Sequence, residues 1–315
     1  MTRFQDFKQF LAKFRVNNPN NYYLFRGESG SYVDRQPSIY RDDSMKISQN
    51  SDKFYADLSV ELGDLSFSTQ PLPTQLAHLQ HYQAPTRLLD VSLNPLVALF
   101  FAVVKFESTD SKIFLYAVEN SDIKYQTEHT AIMKSAVNWM SQTVVHDFIE
   151  CTRNTLKKKF NAENDEELKN NLDSINNAPR FEEKLENKLK TKTIVKDFLD
   201  RLNKLTTPIM YSRPYAIYKD LTSTQFVKFI RESARMQRQQ GAFIMPHHVT
   251  GFEEEKINFT ESIDKAAVDS IEYVIPAEDV KRIKKELATL GINAGTSYPD
   301  IEYYAEYLKD FYQNL

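Results

Sequence analysis

A dense set of polar, aromatic and charged side chains lies in the stretch from Leu76 to Val104, LAHLQHYQAPTRLLDVSLNPLVALFFAVV. Thirteen positions of this stretch contain His78, Gln80, His81, Tyr82, Thr86, Arg87 and Asp90, and the chain then becomes strongly apolar. A buried core seldom holds an arginine, an aspartate and two histidines together, because burying unpaired charge is costly. We therefore predict that these polar groups face one another and a ligand, on the wall of a pocket that is joined to a core element.

The elements that must position these groups alternate irregularly between helix and strand. Hydrophobic periodicity and Gly/Pro punctuation predict strands over 22–27, 86–92, 112–118, 241–246 and 271–276. They predict helices over 4–14, 51–66, 74–82, 95–105, 223–239 and 277–291, and a last helix after Pro299. Because no regular strand-helix-strand repeat is present, the fold class is predicted to be α+β.

A change of character near residue 127 predicts two structural parts. Residues 127–205 are rich in Lys, Glu and Asn around sparse apolar positions, which predicts a helical insertion. Residues 1–126 and 206–315 would then form one discontinuous core. The insertion is open to interpretation as a lid, an interaction arm or a solvated elaboration.

Composition restricts the class of protein. The chain has 315 residues, of which 41% are hydrophobic, with 21 Phe and 17 Tyr, so a folded globule is expected. The net charge of −3 does not indicate a nucleic-acid partner. The single cysteine, Cys151, excludes an internal disulfide and a multi-cysteine zinc site. Since MTRFQDFKQF has no apolar signal core and the run Pro95 to Val104 is too short for a bilayer, we expect a cytoplasmic protein without a membrane partner.

Three separated segments resemble the FRG domain, which is named for a Phe/Tyr-Arg-Gly motif. The segments are LFRG at 24–27, LQHYQAPTRLLDVSLNPLVALFFAV at 79–103 and RMQRQQGAF at 235–243, and the tail LGINAGTSYPDIEYYAEYL at 290–308 is similar to the end of these proteins. The sequence departs from the family at Gln83, Val91 and Ser92, where Gly, Trp and Thr are usual. The resemblance implies a bacterial protein whose relatives are found near mobile-element and phage-defence genes.

The order of these motifs is also similar to that of ADP-ribosyltransferases, which implies a mixed-sheet core with flanking helices. In that comparison Arg26 matches the arginine that ends the first strand, and Ser92 matches the hydroxyl residue of the second strand. The segment RQQGAFIMPHH looks like the last strand, but Gly241 stands where such enzymes carry a glutamate. Either Asp90 or Glu28 supplies the missing negative charge, or the reaction differs, or the site only binds.

The resemblance implies NAD as a co-substrate, with no tightly bound cofactor. An arginine fork suits a pyrophosphate, and an aromatic ring such as that of Tyr82 can stack on a base. Ser92 would position a ribose, and Gln239 or Gln240 would bond a hydroxyl. The predicted catalytic residues are Arg26, Asp90, Ser92 and Gln240. The predicted ligand-binding residues are Gln80, His81, Tyr82, Arg87, Arg235 and Gln239. No metal site is predicted, since the adjacent His247 and His248 would point to opposite faces of a strand.

Each of these side chains could instead have a purely structural role. The alternatives are an ion pair between Arg26 and Asp90, a fold-stabilising Arg87, a local hydrogen bond of His81, a helix cap at Ser92 and backbone contacts of Gln239 and Gln240.

Two functions are compatible with these residues. The first is a NAD-using, ADP-ribosyltransferase-like toxin or anti-phage effector that acts on a macromolecular target. The alternative is a non-catalytic nucleotide-sensing or partner-binding module of a phage-defence system, with a nucleotide or an antitoxin protein as partner. A serine hydrolase is disfavoured because no GxSxG motif is present, and a metal nuclease because clustered carboxylates occur only at Glu253 to Glu255.

Overall fold

One curled, mixed sheet of seven strands organises the part of the chain that the computed structural model describes, which is residues 4–15, 18–30, 32, 34–41, 44–105, 109–173, 179–253, 258–298 and 301–313. The strands are β1 Asn21–Glu28, β2 Leu89–Ser92, β3 Ser111–Glu119, β4 Ile123–Tyr125, β5 Gln225–Lys228, β6 Gly241–Met245 and β7 Asp269–Ile275. Their order is β4-β5-β6-β2-β1-β3-β7. All neighbours are antiparallel except β4 and β5.

Helices surround this sheet and form a separate bundle. They are α1 Phe4–Arg15, α2 Met45–Gln49, α3 Ser51–Leu62, α4 Leu65–Ser68, α5 Leu72–His81, α6 Pro95–Val103, α7 His129–Ala136, α8 Gln142–Phe160, α9 Asp165–Asp173, α10 Pro179–Lys190, α11 Thr193–Leu205, α12 Pro214–Leu221, α13 Ala234–Arg238, α14 Phe259–Ala266, α15 Ala277–Thr289, α16 Ala294–Ser297 and α17 Ile301–Gln313. Within the described ranges, no helix combines the length and the apolar character needed to cross a bilayer. The mixture of an antiparallel-dominated sheet with many helices confirms the predicted α+β class.

Each face of the sheet is covered by its own apolar cluster. One cluster joins the sheet to α3, α5 and α14 through buried side chains such as Tyr55, Leu76 and Phe259. The other joins it to α1, α6 and α15 and contains Leu99 and Ile283. Helix α6 starts on a cap in which the Asn94 Oδ1 accepts the Leu96 backbone N–H at 2.9 Å. Its sequence, PLVALFFAV, is apolar on all sides because both the sheet and α15 cover it.

Helices α7 to α12 share a third apolar cluster, which lies apart from the two clusters of the sheet. Its centre includes Phe148 and Phe198, whose rings stack with centroids 3.9 Å apart. Leu221 of α12 is fully buried in the same cluster, so the helical bundle extends past residue 205, where the predicted insertion ends.

The segment 223–239, predicted as one helix, is instead strand β5 followed by the short helix α13. The helical prediction was wrong because residues 225–227 pair with β6, with Phe226 registered against Ile244, and this long-range pairing overrides the local helical pattern. Strand β4 was not predicted, since three residues carry too little pattern to be recognised.

Two neighbouring histidines after β6 are held in the neutral form. Burial lowers the pKa of His247 to about 4, and it lowers the pKa of His248 well below its usual value. The His247 Nδ1 lies 2.9 Å from the Ser262 hydroxyl, and the His248 Nε2 lies 2.9 Å from the Gln142 Oε1. The two rings therefore have different partners and do not converge on one metal position.

The lowered pKa values of these histidines predict that the folded protein loses stability in acid. Because the pKa of His247 is lower in the folded chain than the usual value of about 6.5, the unfolded chain binds more protons between those values, and stability falls as the pH drops from 6.5 to 4. The contribution of His247 is about 3 kcal/mol at its full extent. Urea unfolding from pH 7.5 to 4 should show a shallower acid loss for His247→Asn than for the wild type. The exposed His129 offers the control, and an equal change in slope for His129→Asn would contradict the assignment.

Candidate functional site

A cleft opens where β1 and β2 diverge. The two strands share a single registered pair, Phe25 with Ser92, although β1 continues to Glu28 and β2 begins at Leu89. The cleft has a volume of about 190 Å³. Its lining residues are Phe25, Arg26, Gly27, Ala77, Gln80, His81, Asp90, Val91, Ser92, Phe101, Arg235, Met236, Gln239, Gly241, Ala242 and Phe243. Strands β1, β2 and β6 and helices α5, α6 and α13 thus contribute to one site.

Arg26 bridges the gap between the diverging strands. Its Nη1 donates to the backbone oxygen of Asp90 at 2.8 Å, and its Nε donates to the Glu28 carboxylate at 2.7 Å. The Glu28 side chain is only 4% exposed and the Arg26 side chain 15% exposed. Glu28 therefore fixes the guanidinium in place, while Nη2 has no hydrogen-bond partner among the described residues and is available to a ligand.

Ser92 ties β2 to the start of β6. Its Oγ donates to the backbone oxygen of Gln239 at 2.7 Å and accepts the backbone N–H of Asn94 at 2.9 Å. The hydroxyl proton is committed, so Ser92 can accept a hydrogen bond from a ligand but is not poised as a nucleophile. The Gln239 Nε2 donates to the backbone oxygen of Ser297 at 3.1 Å, so its amide also connects to α16.

The remaining predicted residues of the cleft form its walls. Gln80 accepts a hydrogen bond from the Thr86 hydroxyl, which fixes the amide at the end of α5. The His81 ring lies edge-on to that of Tyr82, with centroids 5.4 Å apart. The guanidinium of Arg235 lies over the ring of Tyr298 at 4.9 Å, and this cation–π contact positions a second positive charge at the cleft.

Arg87, predicted as a ligand-binding residue, lies outside the cleft. It is 5% exposed, and its guanidinium donates to acceptors on six residues. These acceptors are the Tyr40 hydroxyl, the Ser48 oxygen, the Ser51 hydroxyl, the Asn138 and Gln142 side-chain oxygens and the Val249 oxygen. The position of Arg87 therefore fits the alternative of a fold-stabilising residue, although Asp90, the expected partner, is not among its hydrogen-bond acceptors in the described ranges.

Two other predicted residues are also outside the cleft. Gln240 adopts a left-handed backbone conformation with φ of 48°, its carbonyl accepts the Leu93 N–H at 3.0 Å, and its side chain is exposed. Tyr82 is 63% exposed and lines a neighbouring cavity that is described below. Gln83, which follows it, has φ of 66°, a conformation that explains the glycine usual in the FRG domain at this position.

The negative charge at the cleft comes from one side chain. Among the described lining residues, Asp90 is the only carboxylate, and it is exposed. Glu28 does not line the cleft, and its charge is neutralised by Arg26. At the start of β6, a Cβ added at Gly241 would be in ordinary van der Waals contact with the backbone of Met236, 3.8 Å from its oxygen.

Within the described ranges, no group of three or more His, Cys, Asp or Glu side chains lies close enough together to hold a metal ion.

Apolar residues that sequence reasoning left out complete the site. Ala77 of α5, Phe101 of α6 and Met236 of α13 also line the cleft. Their spacing matches ordinary core positions of α5, α6 and α13, so only the divergence of β1 and β2 exposes them to a ligand. No pattern in the sequence reports that divergence.

The comparisons with known proteins agree with the first motifs of the sequence. Residues 21–111 match the family model of the FRG domain, a range that runs from the start of β1 to the start of β3 and contains Arg26, Asp90 and Ser92. No match was found among curated proteins or among solved structures. Over residues 21–111 the chain is thus similar to the FRG domain.

Proposed function

We propose that the cleft binds NAD and that the protein uses it to transfer ADP-ribose to a macromolecular target, or to cleave it, as a toxin or an anti-phage defence effector. The observation that carries the proposal is the convergence of Arg26, Asp90 and Arg235 from three distant segments on one cleft. Two guanidinium groups suit the pyrophosphate of a dinucleotide, and a carboxylate suits the positive charge that develops on its ribose.

The reaction assigns a role to each group. The bond between C1′ of the ribose and the nicotinamide nitrogen breaks, and nicotinamide leaves with the electron pair. A nucleophile of the target, or water, then bonds to C1′ and loses its proton. Asp90 would stabilise the cationic C1′, Arg26 would bind the pyrophosphate through its free Nη2, and Ser92 would accept a hydrogen bond from a ribose hydroxyl.

A second function is favoured by a specific feature of the cleft. Gly241 stands in the place of the glutamate of ADP-ribosyltransferases, and Glu28 is already paired with Arg26 at 2.7 Å. A site with one exposed carboxylate supports ligand binding without turnover. The second candidate is therefore a nucleotide-sensing module of a defence system, which would use the same cleft.

Arg26→Ala and Asp90→Asn distinguish the two functions. For the enzyme, we expect NAD to release nicotinamide, and Asp90→Asn to lower that rate about 100-fold with the dissociation constant changed by less than about threefold. Arg26→Ala should weaken NAD binding about 10- to 100-fold, because a charge-assisted hydrogen bond is lost. Nicotinamide release by chromatography and titration calorimetry measure the two effects.

Arg201 provides the matched control, since it is half exposed on α11 and pairs with Asp197 at 3.0 Å. Arg201→Ala should leave binding and turnover unchanged. Binding of NAD that Arg26→Ala abolishes, with no nicotinamide release, would favour the sensor. Absence of NAD binding to the wild-type chain would overturn both candidates.

A further inference from the structure

A second cavity adjoins the cleft. This side cavity has a volume of about 270 Å³ and is lined by Thr74, Ala77, His78, His81, Tyr82, Gln126, Phe229, Ile230, Glu232, Ser233 and Met236. Three of these residues, Ala77, His81 and Met236, also line the cleft. The two spaces are thus neighbours along α5, separated only by shared side chains.

The side cavity presents flat apolar surfaces. Tyr82 is 63% exposed, and its ring stacks on that of His78 with centroids 5.1 Å apart and an interplanar angle of 28°. Ile230 is 59% exposed, and the adjacent Phe229 is buried in the core cluster of the sheet. Large apolar side chains left exposed beside a cavity are typical of a surface that a planar ligand covers.

Polar groups of the same cavity fit the edge of a heterocycle. Thr74 lines the cavity and is only 6% exposed, and its buried Oγ1 has no hydrogen-bond partner among the described residues. The Gln126 Oε1 accepts the Ile230 N–H at 2.8 Å, which orients its amide NH₂ as a donor. The carboxylate of Glu232 is an acceptor for an exocyclic amino group.

The cleft and the side cavity together have the volume of an ordinary ligand pocket. Each is smaller than the roughly 300–1,000 Å³ that ligand pockets usually have, but the two together fall within that range. The positive charges of Arg26 and Arg235 lie at the cleft, and the stacking surface lies at the side cavity.

We propose that the side cavity binds the planar, amino-substituted base of a nucleotide, so that a dinucleotide lies across Ala77 with its base against Tyr82 and its other half in the cleft. This inference rests on the proposed NAD binding and adds the second half of the site. His81 and Met236 stand at the boundary, where the phosphates of an extended dinucleotide would pass.

Half-molecules of the dinucleotide test the assignment. Adenosine monophosphate and nicotinamide mononucleotide would be titrated separately by calorimetry, together with NAD. We expect Tyr82→Ala to weaken adenosine monophosphate and NAD about 10-fold or more and to leave nicotinamide mononucleotide unchanged. Arg26→Ala should weaken nicotinamide mononucleotide and NAD.

Thr74→Val gives a sharper test, because the substitution keeps the shape of the side chain and removes only the hydroxyl. If that hydroxyl meets the base, adenosine monophosphate binds several-fold more weakly, whereas a merely structural hydroxyl would leave binding unchanged in a chain of equal or higher stability. Tyr312→Ala, which removes an exposed tyrosine that lines neither cavity, is the control.

The outcomes separate this inference from the proposed function. NAD binding that depends on Arg26 but is unchanged in both Tyr82→Ala and Thr74→Val overturns the base site and leaves the proposed function standing. If adenosine monophosphate binds, Tyr82→Ala weakens that binding and NAD does not bind, the base site is supported and the NAD proposal is overturned. Absence of binding by all three nucleotides overturns both.

Discussion

Arg87→Leu is expected to lower the free energy of unfolding by about 4 kcal/mol. The arginine is buried, and its partners are neutral oxygens from α2, α3, the turn after α7, α8 and the loop after β6. Leucine cannot donate, so the Asn138 side-chain oxygen and the Ser48 carbonyl lose the guanidinium. The Gln142 Oε1 keeps the ring of His248, and the Val249 oxygen keeps the Tyr40 hydroxyl. Each buried acceptor without a partner costs about 1–3 kcal/mol.

An opposing effect limits the loss. In the described ranges none of the hydrogen-bond partners of Arg87 is a carboxylate, so its buried charge carries a desolvation cost of several kcal/mol that leucine removes. Hydrogen bonds to a charged group contribute about 1.5–3 kcal/mol each, so the loss of the whole set made by the guanidinium exceeds that relief and the net change is destabilising. Chemical denaturation of Arg87→Leu and of the control Arg201→Leu would measure it, and we expect the control to change stability by less than about 0.5 kcal/mol.

The same variant tests how the helical bundle is attached. Asn138 and Gln142 belong to the bundle side, whereas Tyr40 and Val249 belong to the sheet side, and Arg87 bonds to both. Loss of the arginine should therefore increase proteolysis or hydrogen exchange at the junction between residues 136 and 142 before the sheet is affected. Equal stability of Arg87→Leu and wild type would show that the contacts of Arg87 contribute no net stabilisation.

Sequence patterns predicted most of the sheet because its long strands carry strong local signals. Strand β3 has a run of apolar residues that both faces bury, and β1 has aromatic residues that end at a glycine. Strand β5 escaped prediction, since its four residues lie between helices and take their conformation from the neighbouring strand β6. Long-range pairing of this kind has no local signature.

The sequence predicted which residue types form the candidate site better than it predicted where each residue lies. Arg26, Asp90 and Ser92 line one cleft because β1 and β2 are neighbours in the sheet. Arg87 and Asp90 are close in sequence, yet one enters the core and the other the cleft, because α2, α3 and α8 offer acceptors to the first. Those acceptors come from positions that sequence spacing cannot relate to Arg87.

Gly27→Ala is expected to destabilise the chain by more than about 3 kcal/mol, at or above the usual upper end for overpacking. A Cβ at this position would lie 1.8 Å from the Ala98 carbonyl oxygen and 2.7 Å from the Ala102 backbone nitrogen. Both atoms belong to the backbone of α6 and cannot rotate away, so the helix must separate from β1. This close approach explains why a glycine follows Arg26: adjacent residues of a strand face opposite sides, and one side meets the helix.

The displacement of α6 in Gly27→Ala should also change the shape of the cleft. Phe101 of α6 and Arg26 of β1 both line the cleft, so movement of the helix changes the walls on either side of Gly27. Gly241→Ala is the matched control, because its added Cβ would meet no atom nearer than 3.8 Å and should alter stability by less than about 1 kcal/mol. Thermal and urea unfolding of the two variants would decide the matter. If Gly27→Ala were as stable as Gly241→Ala, the contact between α6 and β1 would be looser than the structure has it, and the Arg-Gly motif would need another explanation than the packing of this helix.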